Sequence, residues 1–210
     1  MSLINQDYAR NYLLRDAKWS ESHGATADSL GAGMLYYALA YSLNARVCVC
    51  LGSGGGFVPR MMAQAQLDRH NNGRTILVDA DIGPWGRPDW VREGSFFRTT
   101  FPMIEVVQTL TKDAASLFLS SGLKIDYLHI DADHSEEGTL ADLQDYLPMV
   151  REQGVVTLHD TVSVVDPSGT HPPSGVLRAI QRFVYGENMS VVDFPMIGAG
   201  VAVLRKGRVV

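Results

Sequence analysis

The chain has 210 residues, a formal net charge of -5, 46% hydrophobic and 20% charged residues, the composition of a globular protein with room for one well-buried domain, 1–210. No basic run supplies the concentrated positive surface that nucleic acid requires, and no apolar run reaches the ~18 residues of a membrane span. The opening MSLINQDYARNYLLRD lacks the basic start and apolar centre of a signal peptide, so a cytoplasmic location is expected.

Residues 1–30 are polar and mixed, with Tyr8, Tyr12, Leu13, Leu14 and Trp19 scattered through them. A short helix and a loop are expected here, lying as a cover across the open edge of the core. Lys18 or Trp19 then either touches substrate or packs. From Ala27 or Asp28 to Leu43 the apolar pattern predicts a helix, capped by Thr26 or Asp28 and ended by Asn44 and Arg46.

VCVCL at 47–51 reads as a fully buried strand, with Cys48 and Cys50 on one face as buried thiols in a reducing compartment. Gly52-Ser53-Gly54-Gly55-Gly56 follows, and then the helix-like FVPRMMAQAQL. Strand, glycine-rich turn and helix in succession make a phosphate or nucleoside loop, because small residues admit a ligand to the backbone and the helix start offers free N–H donors. No GKS or GKT follows, which disfavours a nucleoside-triphosphate P-loop.

A second strand at 75–78 ends in Asp79 and Asp81, where an acid can accept both ribose hydroxyls. A third around 105–110 precedes Thr111-Lys112-Asp113-Ala114, in which Asp113 either holds an adenine amino group or caps a helix. The stretch 83–95, GPWGRPDWVREGS, is a surface excursion whose Trp85 or Trp90 flanks the cofactor or packs.

The stretch 125–161 carries the most chemistry. An apolar run at 125–130 closes on Asp131, Asp133 and His134, and a second at 155–158 closes on His159 and Asp160. Leu140, Leu143, Leu147 and Val150 between them predict a helix, with Gly154 as its stop. A strand, helix, strand unit favours a parallel pair with a right-handed crossover, so both acidic ends face one another at a single sheet edge. His129, inside the apolar run, is expected to be a hydrogen-bonded core histidine. Beyond Asp160, the loop 162–175 is a candidate lid carrying His171; a helix follows at 176–185, and strands at 190–194 and 200–205 predict a terminal antiparallel hairpin.

These parts together resemble the class I S-adenosylmethionine-dependent methyltransferases, from about Ala27 onward: the GSGGG loop, the acid at Asp79, the TKDA segment and the closing hairpin. The resemblance implies a Rossmann-like, doubly wound α/β fold with a mostly parallel seven-stranded sheet. It implies S-adenosyl-L-methionine held by Gly52, Ser53, Gly54, Gly56, Asp79, Asp113 and Asp131. IDADH and LHD further resemble the metal-dependent O-methyltransferases of sugars and catechols, which implies a divalent ion, Mg2+ or Mn2+, on Asp131, His159 and Asp160, with His134 as catalytic base. Cys50 stands where an acid often precedes the loop, and Thr161 where Asn or Asp often follows the second metal aspartate.

The expected reaction is methyl transfer to a hydroxyl of a small molecule, a glycoside or other secondary metabolite, with the ion lowering the acceptor's pKa and His134 taking its proton. The partner is therefore a small-molecule acceptor, with neither nucleic acid nor membrane, and a homo-oligomer is compatible with the sequence. Two other readings stand beside it: a non-haem iron oxidase or hydroxylase built on His134, His159 and a carboxylate, and an S-adenosylmethionine-binding partner subunit without catalysis.

Overall fold

A computed structural model describes residues 5–82, 88–162, 174–185 and 189–207. Trp85, His171 and most of the candidate lid lie outside the described residues.

The chain begins with α1 (Gln6–Tyr8), which runs on into a π turn over Ala9–Leu13, and reaches α2 (Gly33–Ser42) through a 3-10 turn at Ser20–His23. Then β1 (Val47–Leu51), α3 (Phe57–Arg69), β2 (Arg74–Val78), α4 (Phe96–Thr100), β3 (Ile104–Val107), α5 (Thr111–Ser120) and β4 (Ile125–Ile130) alternate. The chain continues through α6 (Glu136–Tyr146), β5 (Val150–His159), α7 (Gly175–Val184), β6 (Met189–Phe194) and β7 (Val201–Lys206). The strands form one seven-stranded sheet in the order β3-β2-β1-β4-β5-β7-β6. Strands β3 to β5 are parallel, and β7 runs antiparallel to both β5 and β6. The expected doubly wound sheet and terminal hairpin are thus present.

Near-continuous apolar strands are covered on both faces. Cys48, Cys50, Leu77 and Tyr127 pack toward α2 and α3, while Val49, Leu51, Leu128, Ile130 and Leu158 pack with residues of α5, α6 and α7. Both cysteines are fully buried free thiols on one face, and burial raises both above the usual thiol range.

Two element boundaries differ from expectation. The first long helix starts at Gly33 rather than near Ala27, because the intervening residues fold back: Thr26 bridges Ser29, and the Ala32 amide donates to the His23 carbonyl. Helix α6 stops at Tyr146, before the 3-10 turn Leu147–Met149 that contains Pro148, and Gly154 lies inside β5. Pro148 supplies no N–H and favours a helix end. The β4–β5 register shifts between Ile125 and Tyr127, which accommodates the extra residues around Gly154.

Strand β1 sits between β2 and β4, so successive connections leave it in opposite directions and open a crevice at the carboxyl ends. Leu51 pairs with Val78 and Ile130, and Ile130 with Leu158. The next residues in each strand, Gly52, Asp79, Asp131 and His159, therefore emerge along one edge.

Trp19, Ser22 and His23 of the N-terminal segment lie along this edge. Arg60 of α3 holds the segment there: the guanidinium is fully buried, with its Nη1 donating to the carbonyls of Tyr12, Leu13 and Arg15. The rings of Phe97 and Phe101 lie 5.2 and 5.7 Å from its centre. Burial brings this guanidinium down to about 10. At the far end, the Ser22 carbonyl accepts from the Ala199 amide at 2.7 Å. Arg60→Met keeps the volume but removes the donors; charged hydrogen bonds contribute about 1.5–3 kcal/mol each, so a loss of about 2–4 kcal/mol is expected in urea unfolding, with earlier tryptic cleavage at Arg10 or Arg15. Unchanged stability and cleavage would show that the cover is held elsewhere.

Candidate active site

A cavity of about 680 Å3 opens at the carboxyl edge of the sheet, within the range of small-molecule and cofactor sites. One half is walled by the glycine loop, the end of β2 and the start of α5; the other by the ends of β4 and β5 and the N-terminal cover.

In the first half, the Gly52 amide donates to the Val78 carbonyl at 2.8 Å. Gly52 has φ +69°, and a Cβ there would strike the backbone of Asp131 and Ala132. Glycine is needed so that the strand ends can close together. Asp79 fixes the loop, its two carboxylate oxygens accepting from the amides of Ser53 at 3.1 Å and Asp81 at 2.9 Å. Burial raises the Asp79 pKa, opposed by those amides. The Ser53 hydroxyl is buried without a hydrogen-bond partner among the described residues. Trp90, itself buried, donates from its indole to the Gly54 carbonyl at 2.9 Å, so it supports the loop from behind instead of flanking a ligand.

Gly52, Ser53, Gly54, Asp79 and Asp131 all line the cavity. Gly56 does not; a Cβ on it would meet the Phe97 ring, so it serves packing. Asp113 is exposed in the first turn of α5 and is also off the cavity wall. Helix α6 brings Asp142 and Asp145 to that wall; Asp142 is 3% exposed, with one oxygen unpartnered among the described residues. Burial pushes it up to about 6.

The second half centres on Asp131. Its amide donates to the Leu51 carbonyl at 2.8 Å, which fixes it on the end of β4. Around its carboxylate stand His134 Nε2 and His159 Nδ1, each 3.3 Å from Oδ1, and His23 Nε2 and His129 Nε2 at 3.7 and 3.9 Å from Oδ2. Asp160 Oδ2 lies 3.1 Å from His134 Nδ1 and 3.2 Å from His159 Nδ1. Asp160 reaches this position in the left-handed region, at φ +58°, which an aspartate tolerates better than most side chains.

Burial alone would raise Asp131, but the charge of His159 and hydrogen bonds from the imidazoles hold it well below the usual carboxylate range. Burial lowers His159, and the two aspartates more than reverse that, to about 10. Hydrogen bonding to Asp131 raises His134. Burial lowers His23 well below the usual imidazole range and lowers His129 as well.

The predicted His134, Asp131, His159 and Asp160 are thus brought into one cluster. His129 is the expected core histidine, fully buried with Nδ1 2.8 Å from the Thr157 hydroxyl. Asp133 has the plainer role, accepting from the Ser135 amide ahead of α6. His23 escaped the sequence reading: it lies in a segment without periodicity, and only its residue type marks it. Trp19, from the same cover, also lines the cavity, whereas the backbone of Lys18 crosses over Gly55.

The divalent ion expected on Asp131, His159 and Asp160 meets a donor set with nitrogen in it. Thr161, next in sequence, is turned away, its hydroxyl donating to Asp193 at 2.8 Å. Among the described residues the set is therefore two carboxylates and an imidazole, which does not suit Mg2+, an ion that takes oxygen ligands in near-octahedral geometry. Among the described residues, no helix is long and apolar enough to cross a membrane.

A family model described as a methyltransferase domain matches residues 49–161, more than half of the chain. No curated protein matches the chain by sequence. Among solved structures, an O-methyltransferase from Bacillus cereus in complex with SAH superposes with a TM-score of 0.68 at 17% identity, covering 96% of each chain. TomG from Streptomyces achromogenes, an O-methyltransferase involved in tomaymycin synthesis and solved with SAM, gives 0.62 at 15%, over 94% of this chain and 90% of its own. A methyltransferase from Geobacter sulfurreducens gives 0.63 at 16%, over 98% and 91%. At these identities the likeness is one of fold.

The raised pKa of Asp142 sets a sign for its effect on stability. A carboxyl near 3.9 when unfolded and about 6 when folded favours the folded state less as pH rises between those values. Asp142→Asn is therefore expected to stabilise the protein by about 1–3 kcal/mol at pH 8 and not at pH 4, read by denaturant midpoints at both values. Equal effects at the two pH values would show that Asp142 is ionised with compensation.

Proposed function

This chain belongs to the methyltransferase-domain family, and we propose that it is an S-adenosylmethionine-dependent O-methyltransferase acting on a hydroxyl of a small molecule. The observation that carries the reading is the cavity itself, which joins a glycine loop and Asp79 on one side to an imidazole and carboxylate cluster on the other.

The nucleoside half fits the cofactor. The Asp79 carboxylate has lone pairs to spare for two ribose hydroxyls beyond the two amides it already holds. The buried Ser53 hydroxyl and the unpartnered oxygen of Asp142 are polar atoms in need of a ligand. Asp142, in place of Asp113, offers the acceptor for an amino group on the base.

When bound, the cofactor supplies a methyl group on a sulfonium; the acceptor oxygen forms a bond to that carbon as the carbon–sulfur bond breaks, leaving a thioether and a methyl ether. The protein must align the acceptor and remove its proton. His134 suits the second task, since its side chain is 45% exposed on the cavity wall, and Asp131 and Asp160 face its two nitrogens and stabilise the imidazolium that results. Trp19 and Ile82, both on the wall with substantial exposure, give the acceptor apolar surface. The small size of the cavity favours a free metabolite over a macromolecule.

Calorimetry with S-adenosylmethionine tests the first half. Micromolar binding is expected, weakened about 10–100-fold in Asp79→Ala by loss of the charged hydrogen bonds to the ribose; absence of binding would refute the reading. For the second half, a methyl-labelled cofactor with a panel of hydroxylated metabolites is expected to give label transfer. On any acceptor found, His134→Ala is expected to lower kcat by about 10²–10⁴ without changing cofactor affinity. A variant with full kcat would remove His134 from the proton step.

A further inference from the structure

The distances around Asp131 divide into two kinds. His134 and His159 stand 3.3 Å from Oδ1, close to hydrogen-bond range, whereas His23 Nε2 stands 3.7 Å from Oδ2, too far for a hydrogen bond. Two ligands of a tetrahedral ion with bonds of about 2.0–2.1 Å lie about 3.3 Å apart. The two rings approach different oxygens of the carboxylate, His159 Oδ1 and His23 Oδ2, so a cation between them would draw His23 slightly inward. One ligand atom from each of His23, Asp131 and His159 falls within 4.8 Å of the others.

The outer atoms of both rings are already assigned. His159 Nε2 faces the Ser22 carbonyl at 3.2 Å; a carbonyl only accepts, so Nε2 carries a proton, and Nδ1 is the nitrogen that faces the two carboxylates, where a cation would take the place of its proton. His23 Nδ1 is held by the Tyr36 hydroxyl at 3.0 Å, which turns Nε2 toward Asp131. A ring whose far nitrogen is fixed by a carbonyl or hydroxyl is the usual arrangement of a metal-ligating histidine. Independently, His129 Nε2, on a fully buried ring, has no hydrogen-bond partner among the described residues and is aimed at the same carboxylate.

We propose that His23, Asp131 and His159 form a site for a borderline transition-metal ion of the Zn2+ class, closed on three sides by protein and open to the cavity on the fourth. Two imidazoles and one carboxylate select such an ion over Mg2+ or Ca2+. The open position faces the wall shared with His134, where an oxygen of the acceptor would bind. His23 belongs to the cover, so the ion also ties the N-terminal segment to the ends of β4 and β5. That role in catalysis rests on the methyltransferase reading; the metal site does not.

The test uses the full chain, stripped with chelator and free of S-adenosylmethionine, titrated with Co2+ and with Zn2+. One ion per chain is expected by calorimetry, with visible Co2+ absorption bands of a low-coordinate nitrogen and oxygen site, displacement by Zn2+ and no competition from millimolar Mg2+. His23→Ala should weaken binding by more than the ~100-fold that outer partners contribute, Tyr36→Phe by about tenfold, and His134→Ala little. Circular dichroism and a His23→Asn variant guard against loss of folding. Absence of binding by the wild type would show that His159 is a trapped imidazolium and overturn the proposal, as would wild-type affinity in both folded His23 variants, which would move the ion to Asp131, His134 and Asp160. Cofactor affinity measured in parallel separates the two readings: cofactor bound without metal refutes only the metal site, and metal bound without cofactor refutes only the methyltransferase reading.

Discussion

A single buried carboxylate organises the active edge of this protein. Asp131 ends the central strand β4, where burial by itself would neutralise it. The charge of His159 on β5 and the hydrogen bonds from His159 and from His134 in the β4–α6 turn keep it ionised. The left-handed Asp160 and the close approach of Gly52 to the Asp131 backbone are local strains accepted so that these groups meet.

The second constraint is the cover. Its early part is held by the Arg60 guanidinium, which finds backbone carbonyls where a buried charge would ordinarily need a carboxylate. Its later part is held by the Ser22 carbonyl, which accepts from Ala199 in the hairpin turn and from His159 at the end of β5. One carbonyl oxygen thus sets the position of the cover, the turn and a cluster histidine together. Packing and site geometry are here the same set of contacts.

Much of this was legible in the sequence. The strands were marked by short apolar runs, the two acidic strand ends by their residue types, and the shared edge by the parallel crossover rule, which needs only the order of elements. What was not legible depends on contacts far apart in the chain. His23 reaches Asp131 from a loop with no periodicity, and nothing local distinguishes it from a solvated histidine. Asp113 matched a motif by position, but the rotation of α5 turns it outward and α6 brings Asp142 to the wall instead. The start of α2 and the start of β5 were misplaced because apolar residues continue past both boundaries; tertiary hydrogen bonds at Ala32 and the bulge near Gly154 decide them.

The position of β7 has a consequence for biosynthesis. It follows β6 in the chain yet lies inside it in the sheet, between β5 and β6. While the chain emerges from the ribosome, β5 therefore waits with an open edge, and β6 has no place in the sheet until the strand made after it arrives. The Ser22 end of the cover waits as well, since it is anchored by Ala199, two residues before β7. The Ser22 contact and the seating of β6 thus both depend on residues made after β5, whose edge stays open until the hairpin is complete.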